Sequence, residues 1–223
     1  MMEGLIGGLF PYMAVGIFLV GAGVRIILWQ TAPRKLNWKL YPVPEGLAGE
    51  ASYILGEWVS FRTLFRHNRI VWLGSYVFHL SLVWLVVWLV LFLLGIHLPW
   101  LLRTALWGMF GSAVYLFIVR LWVKQMRAIS SLVEYLNLLL FILIASSGLS
   151  MLGRGVGGQV REYFLGLLTL SPAPVPSEGM FLVHLLLWEL FLVYLPFSKM
   201  FHAASKYFAY HKSRWYNPYE VGH

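Results

Sequence analysis

Cysteine is absent from all 223 residues. Thiolate-ligated iron–sulfur clusters, covalently attached c-type haem and disulfides are therefore excluded from this chain, and any such centre must belong to a partner. Charge is the second scarcity: nine acidic and seventeen basic side chains make up only 12% of the sequence, about half the share of an ordinary soluble domain. The net charge of +8 raises nucleic acid as a partner. The basic residues, however, stand at the ends of apolar segments and not on a polar face, so a lipid bilayer accounts for them and no nucleic-acid role is expected. The opening MMEGLIGGLFPYM has no basic residue ahead of its apolar run, so a cleaved signal peptide is not expected and the first helix should stay. The sequence shows no phosphate cradle, zinc spacing, nucleophile elbow or HxxHH-type di-iron cluster. The repeated halves and paired broken helices of a small transporter are missing as well.

What the chain has in abundance is apolar length, with 60% hydrophobic residues. Five segments are long enough to cross a hydrocarbon core of about 30 Å: roughly 5–28, 70–96, 101–123, 132–152 and 180–200. The expected fold is all-α, an integral membrane bundle of five transmembrane helices forming one domain over 1–223. A loop over 30–69 and a tail over 201–223 would lie on one face, and a 153–179 loop, whose SPAPVPS run is a proline-rich connector with little helix, on the other. If the spans alternate, fourteen of the seventeen Lys and Arg residues fall on one side, and only Arg103, Arg154 and Arg161 on the other. By the positive-inside rule the N-terminus is outside and the C-terminus cytoplasmic, in a multi-pass protein of the cell's inner membrane. The inner loop is long for a connection. With Trp38, Tyr41, Tyr53 and Trp58 among mixed charges, it reads either as a docking surface or as a segment lying on the headgroups.

The stretch VHLLLWELFLVYLPFSKMFH carries a histidine near each end, His184 and His202, eighteen positions apart. At about 100° and 1.5 Å per residue that is about five full turns and roughly 27 Å, so a continuous helix would hold both rings on one face, nearly a bilayer apart. His79 and His97 on the second span have the same spacing and would share a face for as long as that helix lasts. Imidazoles are common ligands of haem iron, and ionisable groups inside a membrane are costly enough to point to function. Matched by depth, His79 pairs with His202 at an inner site and His97 with His184 at an outer site, enough for one or two b-type haems. The alternative for His97 is an interfacial hydrogen-bonding residue. His67, His211 and His223 lie in polar surroundings and read as exposed. Glu189, inside the last span, is either a proton relay or a neutral acid hydrogen-bonded to a neighbouring helix. Glu134, near a helix end, needs no special account.

FPYMAVGIFLVGAGVRI (Phe10 to Ile26), FHLSL (Phe78 to Leu82) and H-x(11)-P-F-S-K-x-x-H (His184 to His202) resemble the cytochrome b, or gamma, subunit of respiratory nitrate reductase. The short length and long inner loop look more like the relatives in transmembrane redox complexes of sulfate-reducing bacteria, the high-molecular-weight cytochrome c complex and the sulfite-reduction-associated complex. The resemblance implies that His79 and His202 bind the inner haem and that His184 binds an outer one. It departs at Leu89, where the nitrate reductase pattern has its second histidine. The outer haem has then moved to His97, acquired a different ligand, or been lost. The resemblance further implies a cytoplasmic iron–sulfur partner similar to heterodisulfide reductase, docked on the inner loop and on the tail KSRWYNPYEVGH. Further membrane subunits and a periplasmic multihaem cytochrome c are implied with it. The expected function is electron transfer between menaquinol, or a periplasmic cytochrome, and that partner. A quinol site would lie near the outer haem beside Arg103 or the 153–179 loop. The alternative is a haem-free membrane anchor of such a complex, with His79 and His202 structural.

Overall fold

The computed structural model describes residues 4–32, 46–155, 157–171, 173–176, 178–206 and 208. Arg34, Lys35, Trp38, Lys39 and Tyr41 of the inner loop lie outside these residues, as do His211, Lys212, Arg214, His223 and the rest of the expected docking tail. Among the described residues every regular element is helical, and five helices are long and apolar enough to cross a membrane. The protein is a multi-pass membrane protein. The spans are α1 (Leu5–Thr31, opening with a π-helical turn), α4 (Arg69–Leu93), α5 (Pro99–Trp122), α7 (Leu132–Met151) and α9 (Gly179–Tyr194), the last prolonged by a 3-10 turn to Phe197. Between them lie α2 (Gly46–Ser60), α3 (Arg62–His67), α6 (Lys124–Ile129) and α8 (Gly157–Leu168), and α10 (His202–Ser205) follows the last span.

The chain forms two compact units, one of Met1–Pro11 with Ser60–Trp188, the other of Tyr12–Val59 with Glu189–His223. In the first unit α4 packs on α5 and α5 on α7. Small residues make this possible, as expected where lipid gives helices no hydrophobic reason to associate. A Cβ on Gly74 would stand 2.6 Å from Tyr115 and 2.8 Å from Leu116, and Gly108 leaves room for the Ser81 hydroxyl. Met109, Ala105, Ala113, Ile144 and Ala145 fill the seam, and Phe78 meets Phe141 edge-on at 4.7 Å between ring centres.

Each span stops for a local reason. Asn68 begins α4 by accepting the Val71 N–H at 3.0 Å. Asn68→Ala should therefore cost about 1 kcal/mol; an unchanged SDS-unfolding midpoint in detergent would show that the cap contributes nothing. At the other end Gly95 takes φ 87°, the Gly95 N–H donates to Phe92 O at 3.0 Å and the Ile96 N–H to Leu91 O at 2.8 Å, a Schellman closure that glycine permits without steric cost. Arg161 adds Nε and Nη2 bonds to the Phe92 and Leu93 carbonyls at 3.1 and 2.9 Å, satisfying acceptors that a helix end leaves open. Pro99 then opens α5 where its missing N–H costs nothing. Ser131 and Glu134 close the start of α7 as a capping box.

The 153–179 loop holds a helix that composition did not suggest, α8, while the SPAPVPS run is non-helical where it is described. Buried Tyr163 of α8 donates its hydroxyl to Gly7 O at 2.8 Å and anchors a cluster with Phe181 and Leu185. The long inner loop likewise contains α2 and α3, separated by Phe61 in the left-handed region at φ 49°.

In the second unit α1 carries the C-terminal stretch. Gly21 lets Pro196 and Phe197 approach to where a Cβ would meet them at 3.0 Å. Arg25 donates to Pro196 O at 2.9 Å, and Phe201 stacks on Trp29 and meets Phe18 edge-on. Lys206 stands 3.9 Å from buried Glu57 of α2.

Candidate cofactor site on the membrane helices

The single helix expected through residue 200 is corrected here: α9 ends at Tyr194. Proline at 196 has no N–H to continue the ladder, and Ser198 is extended at φ −104°, ψ 168°. The break is stabilised from both sides, because Arg25 takes the Pro196 carbonyl and Ser198 Oγ accepts the Met200 N–H at 3.1 Å. A second 3-10 turn, Lys199–Phe201, leads into α10, which His202 opens. His184 and His202 therefore do not share the face of one continuous helix, and their eighteen-residue spacing fixes no common direction. The same holds for His79 and His97: α4 stops at Leu93, and Gly95 turns the chain before His97 is reached.

His79 sits within α4, its Nδ1 2.7 Å from the Ser75 carbonyl one turn earlier. A carbonyl only accepts, so the proton is on Nδ1 and Nε2 bears the lone pair, the form in which an imidazole binds metal. Phe61, in the left-handed region, and Phe78 flank the ring at 5.0 and 5.5 Å between centres. The donor set at His79 fits an axial ligand. His202, its expected partner, is exposed and belongs to the other unit.

His184 lies on α9 in different company. Ser147 Oγ on α7 is 2.8 Å from its Nδ1, and the Trp188 indole N–H donates to its Nε2 at 3.0 Å. Gly148 lets the ring lie against α7, for a Cβ there would stand 3.2 Å from the His184 Cε1. His97 is exposed, with the Phe92 ring as its aromatic neighbour at 5.7 Å. Neither imidazole is hydrogen-bonded to, or in ring contact with, the other. The described residues contain no group of three or more His, Cys, Asp or Glu placed to hold a metal ion.

Arg103 is exposed on the second turn of α5. Glu189 is 5% exposed, and neither carboxyl oxygen has a hydrogen-bond partner among the described residues, so the neighbouring-helix bond expected for a neutral acid is not seen. His67 is exposed, as anticipated, with Nδ1 on the Thr63 carbonyl. Sequence reasoning missed Ser147, Gly148 and Trp188. The four-residue spacing from His184 to Trp188 was a usable signal, because such pairs are neighbours on a helix. Ser147 comes from another span and left none.

No family model matches the chain. It is similar to the Hdr-like menaquinol oxidoreductase cytochrome b-like subunit of Archaeoglobus fulgidus, 26% identical over 259 aligned positions that cover 92% of this chain and 78% of that subunit.

Proposed function

We propose that this chain is the membrane-embedded subunit of a redox complex, anchoring a cytoplasmic iron–sulfur partner of the heterodisulfide reductase type beside a menaquinol pool. The observation that carries the reading is the combination of five apolar spans with similarity to a menaquinol oxidoreductase subunit along nearly the whole chain. With no cysteine of its own, the chain leaves thiolate-held clusters to the partner. The distribution of lysine and arginine puts the N-terminus outside, and with it the 30–69 loop and the tail on the cytoplasmic side where such a partner docks. Further membrane subunits and a periplasmic multihaem cytochrome c stand as proposed partners on the same footing. A haem-free anchor is the reading favoured by the geometry at His184, since both ring nitrogens are engaged in hydrogen bonds, to Ser147 of α7 and Trp188 of α9.

A second reading, a cytochrome b with one haem, is favoured by one specific observation, the proton placement on His79. In that case His79 would be one ligand of a haem b, and the haem would supply one-electron transfer when bound. This chain's own residues would set the surroundings: Phe61 and Phe78 stand beside the His79 ring, and the Ser75 carbonyl holds the imidazole in its ligating tautomer. Exposed Arg103 is the residue proposed for a quinol headgroup. Quinol-dependent reduction of the complex unaffected by Arg103→Ala would remove it.

The test is purification of the tagged chain from native membranes in mild detergent, with iron, acid-labile sulfide and pyridine haemochrome measured per copy. An iron–sulfur subunit at one per chain is expected. Zero haem b then leaves the anchor, and one haem b makes the chain a cytochrome. A chain that purifies without any iron–sulfur protein would overturn the proposal.

A further inference from the structure

We infer that His184 is a neutral hydrogen-bond bridge locking α9 to α7, and that it is not an axial ligand; an outer haem site is not built into this chain. The proton directions around the ring follow from what each neighbour can do. An indole N–H only donates, so His184 Nε2, 3.0 Å from Trp188 Nε1, carries the lone pair. The Ser147 hydroxyl is 2.9 Å from the Ile144 carbonyl, which only accepts, so the hydroxyl proton goes there. Its oxygen is left to accept from His184 Nδ1–H at 2.8 Å. The chain Trp188 to His184 to Ser147 to Ile144 thus runs in one direction without conflict and uses both ring nitrogens.

Such a chain is self-consistent only with a neutral ring, and it joins two spans through their interior. Ser147 is 6% exposed and Ile144 fully buried. For iron to take Nε2, the hydrogen bond from the Trp188 indole N–H would have to be given up. Trp188 is one turn from His184 on the same helix, which places the indole beside the ring. The packing agrees with a lock: Gly148 gives the ring its place against α7, and Leu106 of α5 closes on the same glycine, 3.0 Å from where a Cβ would be. His97, the other half of the expected pair, has been carried off the helix by the Gly95 turn.

The inference is tested in the full chain, purified with its complex, by three variants, His184→Gln, Ser147→Ala and Trp188→Phe, and the double variant His184→Gln/Trp188→Phe. Each is read for haem b per chain, for the Soret and α-band positions, and for the melting temperature. All three single variants are expected to lower the melting temperature with unchanged haem content and band positions. The double variant should melt no lower than the worse of its two singles, because both break one linkage. Parallel haem loss in all three would overturn the inference, since a ligand held in place by Ser147 and Trp188 gives that pattern. Haem lost from His184→Gln but kept in Ser147→Ala and Trp188→Phe would make His184 a ligand and overturn the inference. Additive losses in the double variant would overturn the lock. A wild-type complex without haem b leaves the thermal cycle to decide, so failure of the cytochrome reading and failure of the lock are distinguishable.

Discussion

Glu189→Leu is expected to stabilise the protein by roughly 1–3 kcal/mol, the cost of a buried polar group left without a partner. The carboxyl is 5% exposed, and neither of its oxygens is hydrogen-bonded among the described residues. Leucine has similar reach and asks for no partner. The measurement is the SDS-unfolding midpoint of wild type and variant in the same detergent. A lower midpoint for Glu189→Leu would mean that the carboxyl is satisfied in the folded state and contributes to it. If stability rises as expected, the group persists at a cost to the fold, which is the pattern of a functional residue. Glu189→Gln then separates the two sequence-based readings: unchanged turnover of the complex removes the proton relay.

Gly166→Ala should have the opposite sign and a larger effect, a loss of roughly 3 kcal/mol. The added methyl would stand 2.7 Å from Ala173 N and 2.7 Å from Ser171 O, both main-chain atoms. A flexible side chain rotates away from such a collision, whereas here the return strand of the loop must move. That movement breaks the Ser171 N–H bond to Gly166 O at 2.9 Å. It also disturbs the neighbouring Tyr163, whose hydroxyl holds Gly7. The expected result is a large fall in the yield of monodisperse protein and in its melting temperature. Wild-type melting in Gly166→Ala would show that the 166–173 contact opens at little cost.

Gly166 and Gly95 illustrate two kinds of legibility. Gly95 was readable in advance as a stop, because a glycine after an apolar run and before Pro99 closes a helix through local geometry alone. Gly166 was not, since its neighbours Ser171 and Ala173 reach it only after the loop has folded back. The same distinction separates the histidines. His79 sits in an unbroken apolar run and is found within a continuous helix, its proton placed by a carbonyl four residues earlier. His184 was read through an eighteen-residue periodicity that presumed an unbroken helix, and the interruption at Pro196 and Ser198 ended that argument. The proline was visible, but proline within a span is compatible with a kink, with a break, or with neither. Arg25, counted in the sequence only as one charge of an inner-face excess, takes the carbonyl that helps to hold the break.

Apolar runs and their bounding residues were enough to read a membrane protein with five spans, and the ends of four of them to within a few residues. Both follow from sums over neighbouring side chains: the transfer of an apolar window into lipid, and the capping chemistry of the residues that bound it. What surrounds the ionisable groups in the spans came from tertiary structure. Whether an imidazole offers its lone pair to a metal or to an indole depends on which atoms other helices bring within about 3 Å of it. For His184 those atoms are the Ser147 hydroxyl, thirty-seven residues away on α7, and the Trp188 indole one turn along its own helix. Hydropathy carries no record of the first, because it weighs a serine by its transfer into lipid and not by the direction of its hydroxyl.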